Sequence, residues 1–170
     1  LCCCACVFFS YASDAQQTST DKKQYRFYRS ITVDGRTRTF LVNLPPNYYL
    51  TSGFSLVIAM HGGGGDAYQF ERTSLLTDKA NAAKFIVVYP EGVKSNKLLH
   101  ARTWNAGECC DYAVDHNIND VKFIGILIDT LLADYKINRR KVYATGHSNG
   151  GMMSYRLASE IPEKIAEIGR

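Results

Sequence analysis

The stretch Lys141-Val142-Tyr143-Ala144-Thr145-Gly146-His147-Ser148-Asn149-Gly150-Gly151 restricts the fold more than any other part of this chain. Lys141 to Thr145 reads as a short strand and Met152 to Glu160 as a helix, so a G-x-S-x-G pentapeptide bridges the two. A turn that sharp leaves no room for side chains at Gly146 and Gly150. It also forces Ser148 into a strained conformation that exposes its hydroxyl, with the positive end of the following helix beside it.

The remaining pattern alternates strand and helix. Gln24 to Leu44 reads as an antiparallel hairpin around Asp34-Gly35, ended by Pro45-Pro46. Phe54 to Met60 and Phe85 to Tyr89 are nearly continuous apolar runs, as in strands covered on both faces. Between them, after a candidate N-cap at Asp66, the spacing of Phe70, Leu75, Leu76, Ala80 and Ala83 predicts a helix. A second helix is predicted from Asp120 to Tyr135, capped by Asn119 or Asp120. Glu91 to Asn117 shows no periodicity and is expected to be a long irregular segment overhanging the functional site. Together these imply a mostly parallel sheet with helices on both faces, preceded by an antiparallel hairpin.

His61-Gly62-Gly63-Gly64-Gly65 follows directly on the Phe54–Met60 strand. Glycines let backbone N–H groups approach a developing oxyanion closely, as acyl transfer requires. The expected donors are the N–H of Gly63 and the N–H of Asn149, with Gly62 and Gly64 less favoured. A plain glycine turn or a phosphate cradle is the alternative, but the loop lacks both the Walker Lys-Ser/Thr ending and the G-x-G-x-x-G context. His147 adjoins Ser148, yet neighbouring side chains on such a turn point apart, so a structural role is expected for it; His61 is expected to anchor its own loop. No histidine follows Ser148. Glu160, Glu163 and Glu167 come too early after it to complete a triad, and Asp111, Asp115 and Asp120 are read as helix caps or solvated loop charge.

With 46% hydrophobic and 21% charged residues, the 170-residue chain can bury one core. Its net charge of +4 is spread along the sequence without a stripe that could track phosphates, so nucleic-acid binding is not expected. Leu1 to Ala15 carries no Lys or Arg, opens on an apolar run too short to span a bilayer, and ends in the small-x-small pattern Ser13-Asp14-Ala15. It is read as a signal-peptide remnant that has lost a basic, methionine-led start, with residues 16–170 forming one incomplete domain. A buried strand is the alternative for that run, and a lipid anchor at Cys6 is disfavoured by Cys3 three residues before it. Cys109 and Cys110 have neither metal-site nor CxxC spacing, and one of them is expected to pair with a cysteine outside these residues.

Four motifs in order, His61 to Ala67, Val87-Val88-Tyr89-Pro90-Glu91-Gly92, Thr103-Trp104-Asn105-Ala106-Gly107 with Cys109-Cys110, and Gly146 to Met153, closely resemble the polyhydroxybutyrate depolymerase and feruloyl esterase family of secreted α/β-hydrolases. The resemblance runs from about Arg38 onward and implies the N-terminal part of an α/β-hydrolase fold. It further implies a carboxylic ester hydrolase with a Ser-Asp-His triad, no metal or other cofactor, an extracellular location and no stable membrane insertion. The implied partner is an ester substrate, polymeric ones such as polyester or plant cell-wall polysaccharide included. Ser148 is the nucleophile it implies; the triad acid and histidine have no matching positions, so these residues alone are expected to turn over little. Pro162 to Ile168 is expected to lead into the next strand. Trp104 and Tyr89 either border the substrate cleft or pack in the core. A prolyl-oligopeptidase-type peptidase and a non-catalytic binding protein on the same scaffold are the rival readings.

Overall fold

A computed structural model of the chain describes residues 23–96 and 100–169; the leader expectation for residues 1–15 lies outside them. Strands β1 (Arg26–Val33) and β2 (Arg36–Asn43) form the expected hairpin. Both turn residues, Asp34 and Gly35, take positive φ (50° and 72°), the geometry a two-residue hairpin loop demands and the reason Asp-Gly occupies it. The main sheet runs β1-β2-β4-β3-β7-β8, with β3 (Phe54–Met60), β4 (Ile86–Pro90), β7 (Ile137–Gly146) and β8 (Glu167–Ile168) mutually parallel and β2 antiparallel to β4. The stretch from Pro162 thus leads into a strand beside β7, as expected.

Side-chain alternation along these strands divides the core into two layers. Phe40, Val42, Leu56, Ile58, Met60, Ile86 and Val88 face helices α4 (Asp120–Asp134) and α5 (Asn149–Glu160), meeting Phe123, Ile124, Leu127, Ile128, Met153 and Leu157. Leu41, Ala59, Val87 and Tyr89 face the opposite way, toward α1 (Ala67–Ser74) and α2 (Leu76–Ala83). The layer under α4 and α5 is the larger, and because the other face is covered too, β3 and β4 read as nearly unbroken apolar runs.

Three expectations need correction. The single helix after Asp66 is two helices, broken at Leu75, which is 64% exposed and left-handed at φ 55°; Asp66 does cap the first, its carboxylate accepting from the Gln69 N–H. The segment after β4 is not wholly irregular: β5 (Val93–Lys94) pairs with β6 (Arg102–Thr103), and α3 (Asp111–Asp115) follows. Nor does it simply overhang the site, because Trp104 is completely buried.

Asp120 is the third. Asn119 caps α4 through the Lys122 N–H, while Asp120 is fully buried. Its carboxylate accepts from the Arg38 guanidinium at 2.6 Å and from the Asn105 N–H at 2.8 Å. Arg38 in turn lies 3.9 Å from the centroid of the Phe123 ring and donates to the Glu91 carbonyl. The pair ties β2 to the start of α4 and to the segment after β6. Asp111 and Asp115, at the ends of α3, are exposed. Removing one partner of a buried pair strands the other charge at a cost of about 3–5 kcal/mol. Asp120→Ala should therefore lower unfolding stability by that amount in urea titration, and pairing it with Arg38→Met should recover most of the loss.

Candidate active site

Strand β7 reaches the sheet's C-terminal edge at Gly146, and the chain reverses into α5 within three residues. The reversal is possible because two glycines stand where backbone meets backbone. A side-chain carbon on Gly150 would strike the Met60 and His61 carbonyls at the end of β3, and one on Gly146 would strike Gly150 itself. Ser148, held between them, sits at φ 50° and ψ −118°, a region non-glycine residues rarely occupy, and it is exposed. The Gly150 and Met152 N–H groups close the turn on the His147 and Ser148 carbonyls.

The glycine loop comes to the same place from β3. A carbon added to Gly62 would lie 3.5 Å from the Ser148 Cβ, and one on Gly63 would lie 4.0 Å from the Asn149 Cβ. Two of the loop amides are committed: Gly64 donates to the Arg102 carbonyl at 2.8 Å and Gly65 to the Gly62 carbonyl at 3.0 Å. Those of Gly62 and Gly63 have no acceptor among the described residues. The Asn149 N–H opens α5, where the helix offers it no acceptor. Beside the loop lies a cavity of about 790 Å³, walled by the glycines, His147 and the Gln69, Phe70 and Thr73 side of α1. His147 is exposed at its rim, its ring against Gly62, rather than packed or hydrogen-bonded as expected. Tyr89 does not border the cavity; it is buried behind Phe70, with its hydroxyl on Thr77.

Beneath the loop the polar groups are buried and paired. Glu91 accepts from Tyr28 and Thr39 hydroxyls and ion-pairs with Arg102. Asn149 is 2% exposed, and its carboxamide accepts from the Trp104 N–H at 2.8 Å and donates to the Trp104 carbonyl at 3.0 Å. The Trp104 indole N–H donates to the His61 carbonyl at 2.9 Å. These contacts joining loop and helix escape sequence reasoning: they run from a segment without periodicity to residues more than forty positions away. The sulfurs of Cys109 and Cys110 lie side by side, with the Asn149 Nδ2 3.9 Å from that of Cys109; the cysteine expected to pair with one of them lies outside the described residues.

His61 is wholly buried and anchors its own loop. Its Nδ1–H donates to the Gly62 carbonyl at 2.7 Å, and its Nε2 accepts from the Gly92 N–H at 3.0 Å. Those partners require the neutral Nδ1–H tautomer. Burial pushes its pKa below the ordinary value, outweighing the Gly62 hydrogen bond and the acidic Glu91 and Asp66; Arg102 adds to the depression. The unfolded chain takes up this proton near pH 6.5, the folded chain only at lower pH, so stability is complete above about pH 6.5 and falls as pH drops below it. His61→Asn should flatten the fall of unfolding free energy between about pH 6.5 and 5; an unchanged slope would contradict the neutral, doubly bonded imidazole.

The described fold is that of the α/β-hydrolases, and comparison with known proteins agrees. An acetyl xylan esterase from Aspergillus awamori superimposes with a TM-score of 0.67 at 21% identity, over 84% of this chain and 50% of that one. Among curated sequences, a putative esterase, NocK, of Nocardia uniformis subsp. tsuyamanensis is 37% identical over 142 residues, 82% of this chain and 39% of that protein. A bifunctional acetylxylan esterase/xylanase, XynS20E, of Neocallimastix patriciarum is 31% identical over 78% of this chain and 17% of its own length. The chain thus spans well under half the length of these two curated relatives. The family model described as esterase PHB depolymerase matches residues 39–170, and the chain belongs to that family.

Proposed function

We propose that Ser148 is the nucleophile of a carboxylic ester hydrolase working through an acyl-enzyme. The observation that carries this reading is the exposed, positive-φ Ser148 set within a few ångströms of glycine-loop backbone whose Gly62 and Gly63 amides are uncommitted. In the reaction the Ser148 oxygen attacks the ester carbonyl carbon, and the carbonyl π pair moves to oxygen. The N–H groups of Gly63 and Asn149 are the donors assigned to that oxyanion; the bond of the Gly64 N–H to the Arg102 carbonyl supports this choice over Gly64. The tetrahedral intermediate then expels the alcohol, which takes the serine proton by way of a base, and water releases the acid by the same two steps.

The surroundings of the four histidines do not support any of them as that base. His61 has both nitrogens engaged, His100 and His116 bond the carbonyls of Ser95 and Tyr112, and the His147 ring lies against Gly62. The reading therefore assigns the base to a histidine outside residues 1–170, in keeping with the greater length of the relatives. Their names include acetylxylan and feruloyl esterases, which supports esters borne on polymers as the substrate class. The cavity wall of Gln69, Thr73 and Phe70 offers polar and apolar contacts to such a chain. No helix among the described residues is long and apolar enough to cross a membrane; we infer an extracellular location from the apolar run at residues 1–9.

Ser148→Ala in the full-length protein should lower p-nitrophenyl acetate hydrolysis by about 10⁴-fold or more. A fluorophosphonate should add to the peptide bearing Ser148, as read by mass spectrometry. Activity retained by the variant, or label found on another residue, would overturn the assignment.

A further inference from the structure

Gly63 and Asn149 belong to different elements, a loop after β3 and the first turn of α5, so something must set the separation of their amides. We propose that Trp104 is the positioning residue that does so, clasping both sides of the oxyanion site; the inference rests on the hydrolase reading above.

One residue makes three hydrogen bonds to the two elements. Its indole N–H holds the His61 carbonyl, immediately before the glycines, at 2.9 Å. Its main-chain N–H and C=O hold both ends of the Asn149 carboxamide, at 2.8 and 3.0 Å. Two residues earlier, the Arg102 carbonyl takes the Gly64 N–H at 2.8 Å, fixing the far end of the glycine turn. Trp104, His61 and Asn149 are all buried, so these bonds exchange little with water, and losing one leaves a buried polar group unpaired. The indole ring is itself fixed, parallel to Phe123 within 8° and 5.1 Å from the His61 ring. Phe123 also carries the Arg38 guanidinium, so the clasp is continuous with the buried ion pair below.

Oxyanion donors act at about 2.7–3.1 Å from the developing charge, and displacement by about 1 Å costs on the order of 10²-fold in rate. A tryptophan that only filled the core would give up stability when altered and nothing else. A clasp gives up transition-state binding at unchanged ground-state binding.

Two variants of the full-length enzyme separate these roles. Trp104→Phe removes the indole donor and shrinks the ring. Site-specific replacement of Trp104 by 3-benzothienylalanine keeps the bicyclic ring and its stacking while exchanging the N–H for sulfur, which preserves the fold should Trp104→Phe not fold. For p-nitrophenyl acetate, kcat per folded enzyme should fall about 10-fold or more with KM within about twofold, and a boronic acid transition-state analogue should weaken by the same factor. Lowered melting temperature with kcat and analogue affinity unchanged would overturn the proposal. Ser148→Ala serves as the control: if it abolishes turnover, a null result at position 104 condemns only the clasp, whereas full activity in it removes the hydrolase reading and this inference together.

Discussion

The site depends on a close contact between backbones, where the reversal from β7 into α5 presses on the end of β3. Gly150 lies so near the Met60 and His61 carbonyls that no larger residue fits, and Gly146 is equally near Gly150. Because no side chain intervenes at that contact, the strained Ser148 is brought beside the glycine loop by main-chain packing, on which the Trp104 bonds to His61 and Asn149 are superimposed. Main chain is stiffer than any rotamer, which suits the nucleophile role proposed for Ser148, where the attacking atom has to be placed within a fraction of an ångström.

Such strain persists only where the surroundings over-determine it. Here they do so through buried polar groups that are nearly all paired. His61 binds the loop on one side and Gly92 on the other; Glu91 and Arg102 brace the loop from below; Asn149 and Trp104 close the top of α5 against it. Further down, Arg38 and Asp120 fasten β2 to α4, and Asp120 and Arg156 both grip Asn105, the residue after Trp104. The chain from sheet to site is thus a series of hydrogen bonds through residues 102–105, within a segment whose sequence shows no periodicity.

What the sequence discloses and what it conceals divide along physical lines. Strands β3 and β4, the Asp34-Gly35 turn, the Asp66 and Asn119 caps and the strand–turn–helix around Ser148 are governed by neighbours a few residues apart, so their patterns show locally. The break at Leu75 does not, since leucine carries no preference for the left-handed region it occupies. Asp120 has the look of a surface charge until Arg38, eighty-two positions earlier, is brought beside it. The same holds for Trp104: nothing within reach of its own segment announces a bond to His61 or to Asn149, and long-range partners of this kind appear only when the chain is folded.

On the proposed function, Ser148, the glycine loop and the first turn of α5 form one reactive centre. A crystal structure of the full-length protein carrying a phosphonate on the Ser148 oxygen tests it most directly. One phosphonyl oxygen is expected within about 2.7–3.1 Å of both the Gly63 and the Asn149 nitrogens. A phosphonyl oxygen directed away from both, or a serine that stays unmodified while activity is lost, would contradict it.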